Sequence, residues 1–426
     1  MLVQRKMGIQ IEGSIVFPTP YPEADGEESL AVANFRRYLR IRTVHPKPDY
    51  RSCSVFLRGL AEEIGLDFKE IECVQGKPIS ILTWKGTDPS LPSIMLNSHT
   101  DVVPVFEESW LHDPFSADRV VNSEGETVII ARGSQDMKIV GILYLEAIRE
   151  LKKSYPQPLR TVHMSFVPDE EIDGSDGMKE FIKTDLFKEL NVGLALDEGI
   201  SNEGDFYRVF YGERSPWKVR YTTTGNTGHG SQFIGDLATD KLFRIAKKLR
   251  DFRFTQELIL VDNPERTLGD VTTINLTQLQ SGVQFNVVPK TAAAVFDIRI
   301  SPNVNLQEFK ATLESFAAEE SADIEFLSYF EGGVNTTISD DFPWWRAFKK
   351  GFANSGKEFK LEIFPAATDS RYLRQAGFPA YGVSPLRNTP ILLHDHNEYV
   401  KESTVAEGLD FYMHLLPELF NMPSEN

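Results

Sequence analysis

Apolar strands alternating with long amphipathic helices constrain this chain more than any other feature. Helical periodicity runs through Leu30 to Ile41 and again through Val55 to Gly65, where Val55, Leu57, Leu60, Ala61 and Ile64 recur at helical spacing. Strands are expected at Ile79 to Trp84 and Ser93 to Asn97. Ile129 to Ala131 then leads into a turn, and Met137 to Lys153 forms an amphipathic helix that ends before Pro156. Two more strands follow at Thr161 to Val167 and Val192 to Leu196. This order specifies an α/β domain around a central mixed, largely parallel sheet, in which sites form beyond the carboxyl ends of strands.

The pattern changes after about Tyr211. Trp217 to Thr223 alternates like a half-exposed strand, a glycine loop follows, and a helix runs from about Ala238 to Phe252. Strands at Val271 to Thr277 and Ala292 to Ile300, a helix at Leu306 to Ala318 and a strand at Ile324 to Leu327 complete a ferredoxin-like α+β order. The α/β pattern resumes with a helix near Trp344 to Ala353, a strand at Leu361 to Phe364 and a helix from Thr404 to Phe420. A small domain is thus inserted into a larger one, as a length of 426 residues allows. The expected limits are a polar leader over 1–25, the larger domain over 26–212 and 331–426, and the insertion over 213–330.

A formal charge of -17 opposes nucleic acid or anionic membrane as the main partner, since both need a basic footprint. No apolar run reaches the length of a membrane span. Cys53 and Cys73 have neither a disulfide framework nor zinc-knuckle spacing, so a reducing, cytoplasmic location is expected.

The chemistry gathers at predicted strand ends. His99 and Asp101 are two apart at the end of an apolar strand and point the same way, as a metal ligand with its orienting carboxylate or a catalytic His-Asp pair would. Asp136 follows a strand and opens a helix, where its ordinary use is an N-cap. Pro168-Asp169-Glu170-Glu171 ends another strand in acids, Leu196-Asp197-Glu198 repeats the design, and Leu393-His394-Asp395-His396 brings imidazoles. Each segment alone reads as an ordinary loop. Together His99, Asp136, Glu171, Asp197 and His394 make a mixed imidazole and carboxylate set suited to zinc, with cobalt or manganese allowed by ligand type. Five such groups exceed one tetrahedral ion, and a shared carboxylate would let them serve two. Glu170, adjacent to Glu171, is then the candidate general base.

In this order the segments resemble the co-catalytic zinc metallopeptidase family that contains aminoacylase, carboxypeptidase G and the succinyl-diaminopimelate desuccinylases. The likeness runs from about Glu28 onward. The stretches Arg132 to Lys138, Ser215 to Ser231, Pro365 to Tyr372 and Leu392 to His396 are most similar to the aminoacylase branch, and so is Ile139, where desuccinylases usually carry glycine. The resemblance implies a zinc-peptidase-like catalytic domain with two zinc ions per subunit. Asp136 would bridge them, with Glu171 and His394 at one ion and His99 and Asp197 at the other. His394 is preferred over His396 because His394 to Glu398 has the family's spacing. Asp101 would orient His99, and Glu170 would activate a bridging water.

The same resemblance makes the inserted domain a lid through which the protein forms a homodimer, with His229 helping to hold the oxyanion in the partner's site. Asn286 and Arg299 match positions that meet the substrate's α-carboxylate, although Arg299 suits pairing with Asp297 equally well. Thr368 and Arg371 are further substrate-binding candidates. The implied activity is hydrolysis of N-acyl-L-amino acids. The alternatives are a dipeptidase or carboxypeptidase with the same metals, and a catalytically silent, metal-stabilised binding protein. His45, His112, His163 and His414 suit packing or surface roles.

Overall fold

The computed structural model describes residues 9–11, 14–16, 24 and 26–424. Within the expected leader, Ile9–Ile11 and Ser14–Val16 pair antiparallel. The rest of it, apart from Ala24, lies outside the described residues. Contacts divide the chain into two compact units. One comprises residues up to Phe210 with Thr336–Leu361 and Thr368 onward, and the other Tyr211–Asn335 with Glu362–Ala367. The sequence boundaries place Glu362–Ala367 in the catalytic part instead. In the structure Arg214 Nε donates to Pro365 O at 2.7 Å, and Gly269 lies so close to Ile363 that a Cβ would come within 2.0 Å of its carbonyl oxygen.

The larger sheet has eight strands, in the order Phe359–Phe364, Tyr207–Glu213, Ala380–Gly382, Val192–Asp197, Ser93–His99, Val162–Val167, Lys77–Trp84 and Asp67–Val74. Ala380–Gly382, Val192–Asp197, Ser93–His99 and Val162–Val167 run parallel. Lys77–Trp84 and Asp67–Val74 continue antiparallel. Register places His99 opposite Val167 and Asp197 opposite Gly382, so these strands end on one edge. Every residue of Ser93–His99 is buried, as in a central strand covered by helices. Lys138–Ser154 and Glu402–Phe420 both pack on it.

The pattern reading omitted Asp67–Val74, an edge strand that alternates charged and apolar residues and never becomes fully buried. Ala380–Gly382 is too short to show a period.

In the second unit the sheet order is Thr273–Ser281, Thr291–Ile300, Ser215–Thr224 and Asp323–Ser328, antiparallel throughout. With the Ala238–Asp262 and Leu306–Glu319 helices this is the ferredoxin-like arrangement. Its core joins Trp217, Val219 and Tyr221 to Leu242, Ile245, Leu249, Phe309 and Leu313. The first helix runs to Asp262, past the expected end at Phe252, and its buried residues stop at Leu249. Its last turns therefore carry no burial pattern to read.

Candidate metal centre

His99 closes its strand with both ring nitrogens engaged. Nδ1 lies 2.9 Å from the backbone oxygen of Asp101, which can only accept, so Nδ1 carries the proton. Nε2 faces Asp136 Oδ1 at 3.0 Å and Glu198 Oε2 at 3.8 Å. His394 has an equivalent position, with Nε2 3.1 Å from Asp136 Oδ2 and 2.9 Å from Glu171 Oε2. The two oxygens of Asp136 are thereby divided between two groups, His99–Asp136–Glu198 and Asp136–Glu171–His394. Within each group the candidate ligand atoms lie within 4.8 Å of one another.

Asp136 is not a helix cap. The helix begins at Lys138 with Met137 at its N-cap and no side-chain capping bond. Glu398 holds the preceding loop, a role the sequence reading missed. Its buried carboxylate pairs with Arg132 at 2.8 Å and accepts the N–H groups of Gly133 at 3.0 Å, Gln135 at 2.6 Å and Asp136 at 3.3 Å.

Asp197, expected beside His99, is corrected to Glu198. Consecutive side chains at a strand end face opposite ways. Asp197 turns to Ser370 Oγ at 2.7 Å and Asn97 Nδ2 at 3.1 Å, and Glu198 faces His99. The adjacency of the two acids was legible, but the face each takes depends on where the strand stops.

Asp101 also acts differently from expectation. Its backbone oxygen, and not its carboxylate, meets His99, since Oδ1 lies 3.7 Å from Nδ1. The carboxylate accepts the N–H groups of Glu170 at 3.2 Å and Glu171 at 3.1 Å and pairs with His45 at 2.8 Å. His45, expected in a packing or surface role, is therefore part of the support for the site. His396 belongs to neither group and meets the Phe106 ring edge-on, with centroids 6.1 Å apart.

Four carboxylates, Asp136, Glu170, Glu171 and Glu198, share this region with two imidazoles. Burial and then the charge of Glu198 push Glu170 well above the ordinary carboxylate range. Burial and Asp136 do the same to Glu198, and hold Glu171 at about 7. Burial would lower His99, but its bonds to Asp136 and Glu198 prevail and raise it. Hydrogen bonds to Asp136 and Glu171 raise His394 to about 10. Burial opposes ionisation of Asp136, yet the two imidazoles draw it below its usual value. Glu171 Oε1 is buried without a hydrogen-bond partner. Two imidazole nitrogens set among four carboxylates, together with that orphaned oxygen, fit divalent cations bound by nitrogen and oxygen.

The other expected site residues are dispersed. His229 and Asn286 are exposed in the second unit, with His229 Nε2 3.5 Å from Asn286 Nδ2. His229 Nδ1 accepts the N–H of Ser231 at 3.2 Å and lies 2.7 Å from the Ser231 hydroxyl. Arg299 is paired with Asp297 at 2.7 Å. Thr368 is buried, and its hydroxyl accepts the N–H of Ser370 at 3.3 Å. Arg371 is also buried, and its Nη2 donates to Asp173 O at 2.6 Å. Thr368 thus bonds within its own loop, and Arg371 reaches the turn that carries Glu170 and Glu171.

The model of peptidase family M20/M25/M40 matches residues 95–418. The chain is 49% identical to aminoacylase-1 of Mus musculus over 399 residues, covering 93% of this chain and 97% of that protein. It is 44% identical to aminoacylase-1 of Dictyostelium discoideum over 408 residues, covering 93% and 99%. Among solved structures, the M20-family metallo-carboxypeptidase Sso-CP2 of Sulfolobus solfataricus matches with a TM-score of 0.69 at 16% identity, covering 93% of this chain and all of that one. A dinuclear metal-binding M20 peptidase of Bacillus subtilis matches with a TM-score of 0.65 at 16% identity, covering 92% and 98%. At these identities the solved structures speak for the fold alone. On the span of the family model and the near-half identity of its relatives, the chain belongs to peptidase family M20/M25/M40.

Proposed function

We propose that this chain is a metal-dependent amidohydrolase that splits N-acyl-L-amino acids into a carboxylate and a free L-amino acid. The division of the Asp136 oxygens between two imidazole-carboxylate groups carries the reading. Aminoacylase-1 relatives at 44% and 49% identity supply the substrate class. His99, Asp136 and Glu198 would hold one zinc ion, and Asp136, Glu171 and His394 a second, with cobalt or manganese acceptable to the same donors. Such ions acidify water and polarise a carbonyl when bound.

Glu170 takes a proton from the attacking water as the new C–O bond forms. It returns that proton to the amine nitrogen as the C–N bond breaks. His229 serves the site of a partner subunit, where its Nε2–H donates to the developing oxyanion. Asn286 beside it, and Arg299, would meet the substrate's α-carboxylate. Exposed Phe243, Phe254, Leu258, Leu276 and Leu279 on the second unit support a homodimer through that unit.

Free Cys53 and Cys73 fit a reducing, cytoplasmic location. Among the described residues no helix is long and apolar enough to cross a membrane. Cell fractionation checks the location, and recovery in a secreted or membrane fraction would overturn it.

Metal analysis with a panel of N-acetyl amino acids and free dipeptides tests the activity. The expected result is two ions per chain and cleavage of the acetylated substrates alone. Cleavage of dipeptides alone would transfer the reading to a dipeptidase. For the partner arrangement, His229→Ala subunits mixed with Glu170→Gln subunits should regain activity that neither has alone. No recovery in verified mixed dimers would count against it.

A further inference from the structure

Behind the candidate ligands stands a second set of buried polar side chains that the proposed reaction leaves unused. His45 Nε2 lies 2.8 Å from Asp101 Oδ2, with side chains 8% and 0% exposed. Each Asp101 oxygen also takes one backbone N–H of the turn after Val167, Oδ1 from Glu170 and Oδ2 from Glu171. Tyr50 grips the start of that turn twice, donating its hydroxyl to Asp169 Oδ1 at 2.5 Å and accepting the Asp169 N–H at 3.1 Å. Lys77 adds charge pairing to Asp169 and to Asp176.

The turn needs such ties. Asp169 at φ 64° and Asp173 at φ 97° occupy the left-handed region, which persists in ordinary residues only where the surroundings over-determine it. At its far end Asp173 O accepts from Arg371 Nη2 and from the Tyr372 hydroxyl, each at 2.6 Å. The segment that aims Glu170 and Glu171 is thus clamped at both ends by residues remote in sequence.

We propose that His45 and Tyr50 are positioning residues which, through Asp101 and Asp169, lock the Asp169–Gly174 turn so that Glu170 and Glu171 keep one fixed separation. This rests on the assignment of Glu170 and Glu171 made above. His45 supplies the side-chain hydrogen bond that turns the Asp101 carboxylate toward the turn, and Tyr50 acts on the neighbouring residue independently. Misplacing a reacting group by about 1 Å can cost on the order of 10²-fold in rate. Loss of a partner that orients a metal site costs about 10–100-fold in affinity or turnover.

The test compares His45→Leu, His45→Gln and Tyr50→Phe in the full-length protein. His45→Leu should lower kcat about 10–100-fold with little change in KM, and zinc should be lost to a chelator about 10-fold faster. In the metal-free protein, amide exchange over Asp169–Gly174 should quicken while exchange elsewhere holds. His45→Gln, whose amide can still donate to Asp101, should recover most of each effect. Tyr50→Phe should reproduce the local exchange change with His45 intact. Unchanged exchange and zinc loss in His45→Leu would overturn the proposal. So would exchange that quickens uniformly along the chain without rescue by glutamine, which marks a merely structural role. Exchange and zinc loss need no substrate, so they decide the proposal even if the wild-type chain cleaves no acyl amide.

Discussion

Glu170→Gln is expected to keep both metal ions and lose turnover by about 10²–10⁴-fold, the usual contribution of a positioned acid-base group. Glutamine preserves the size of the side chain and the backbone N–H that Asp101 accepts at 3.2 Å, so the turn should keep its shape. It cannot take a proton from water. Among the described residues three groups could hold an ion, His45–Asp101–Asp169 and the two that share Asp136, and Glu170 belongs to none of them, which is why metal content should survive. Steady-state kinetics beside metal analysis on the same preparation make the measurement. Activity within about fivefold of wild type would refute Glu170 as the base, since even the low end of general-base catalysis is larger. Loss of an ion would instead make it a ligand.

Asp136→Asn should lose both ions and all measurable activity. One carboxylate serves two imidazoles here, through Oδ1 at 3.0 Å and Oδ2 at 3.1 Å, so an amide NH2 must face one of them and the shared negative charge disappears. Glu198→Gln should weaken one ion only. Asp197→Asn should retain both, because the oxygens of Asp197 are already taken by Ser370 and Asn97. Metal stoichiometry by elemental analysis separates the three. An ion lost in Asp197→Asn but kept in Glu198→Gln would reverse the corrected ligand. The same series should appear in stability, since free metal at 1,000 times its Kd adds about 4 kcal/mol to a chain that binds only when folded. The wild-type unfolding midpoint should rise with added zinc, and that of Asp136→Asn should not.

The sequence made the larger elements legible because central strands and long helices repeat their apolar residues at the period of their own geometry. Asp67–Val74 escaped that signal because an edge strand tolerates charge, and Ala380–Gly382 because three residues show no period. At the site, strand ends marked the right segments but left the facing of adjacent acids undetermined, so Asp197 stood where Glu198 belongs. Asp101 was read as a continuation of strand alternation, although the strand stops at His99. His45 and Glu398 act through hydrogen bonds to residues 56 and more than 260 positions away, and nothing local announces such a partner.

The attachment of Glu398 to the Gly133–Asp136 loop bears on how the protein is made. His394 and Glu398 lie on one short stretch that the ribosome delivers after the proposed ligands His99 and Asp136. A nascent chain halted before that stretch has one imidazole too few and a loop without its anchor. In the proposed ligand set the Asp136–Glu171–His394 group would therefore be completed only well after His99, Asp136 and Glu198 have all been made. Chains halted before that stretch would hold at most the ion of the first group, and their exposed apolar surfaces would mark them for chaperones or proteases.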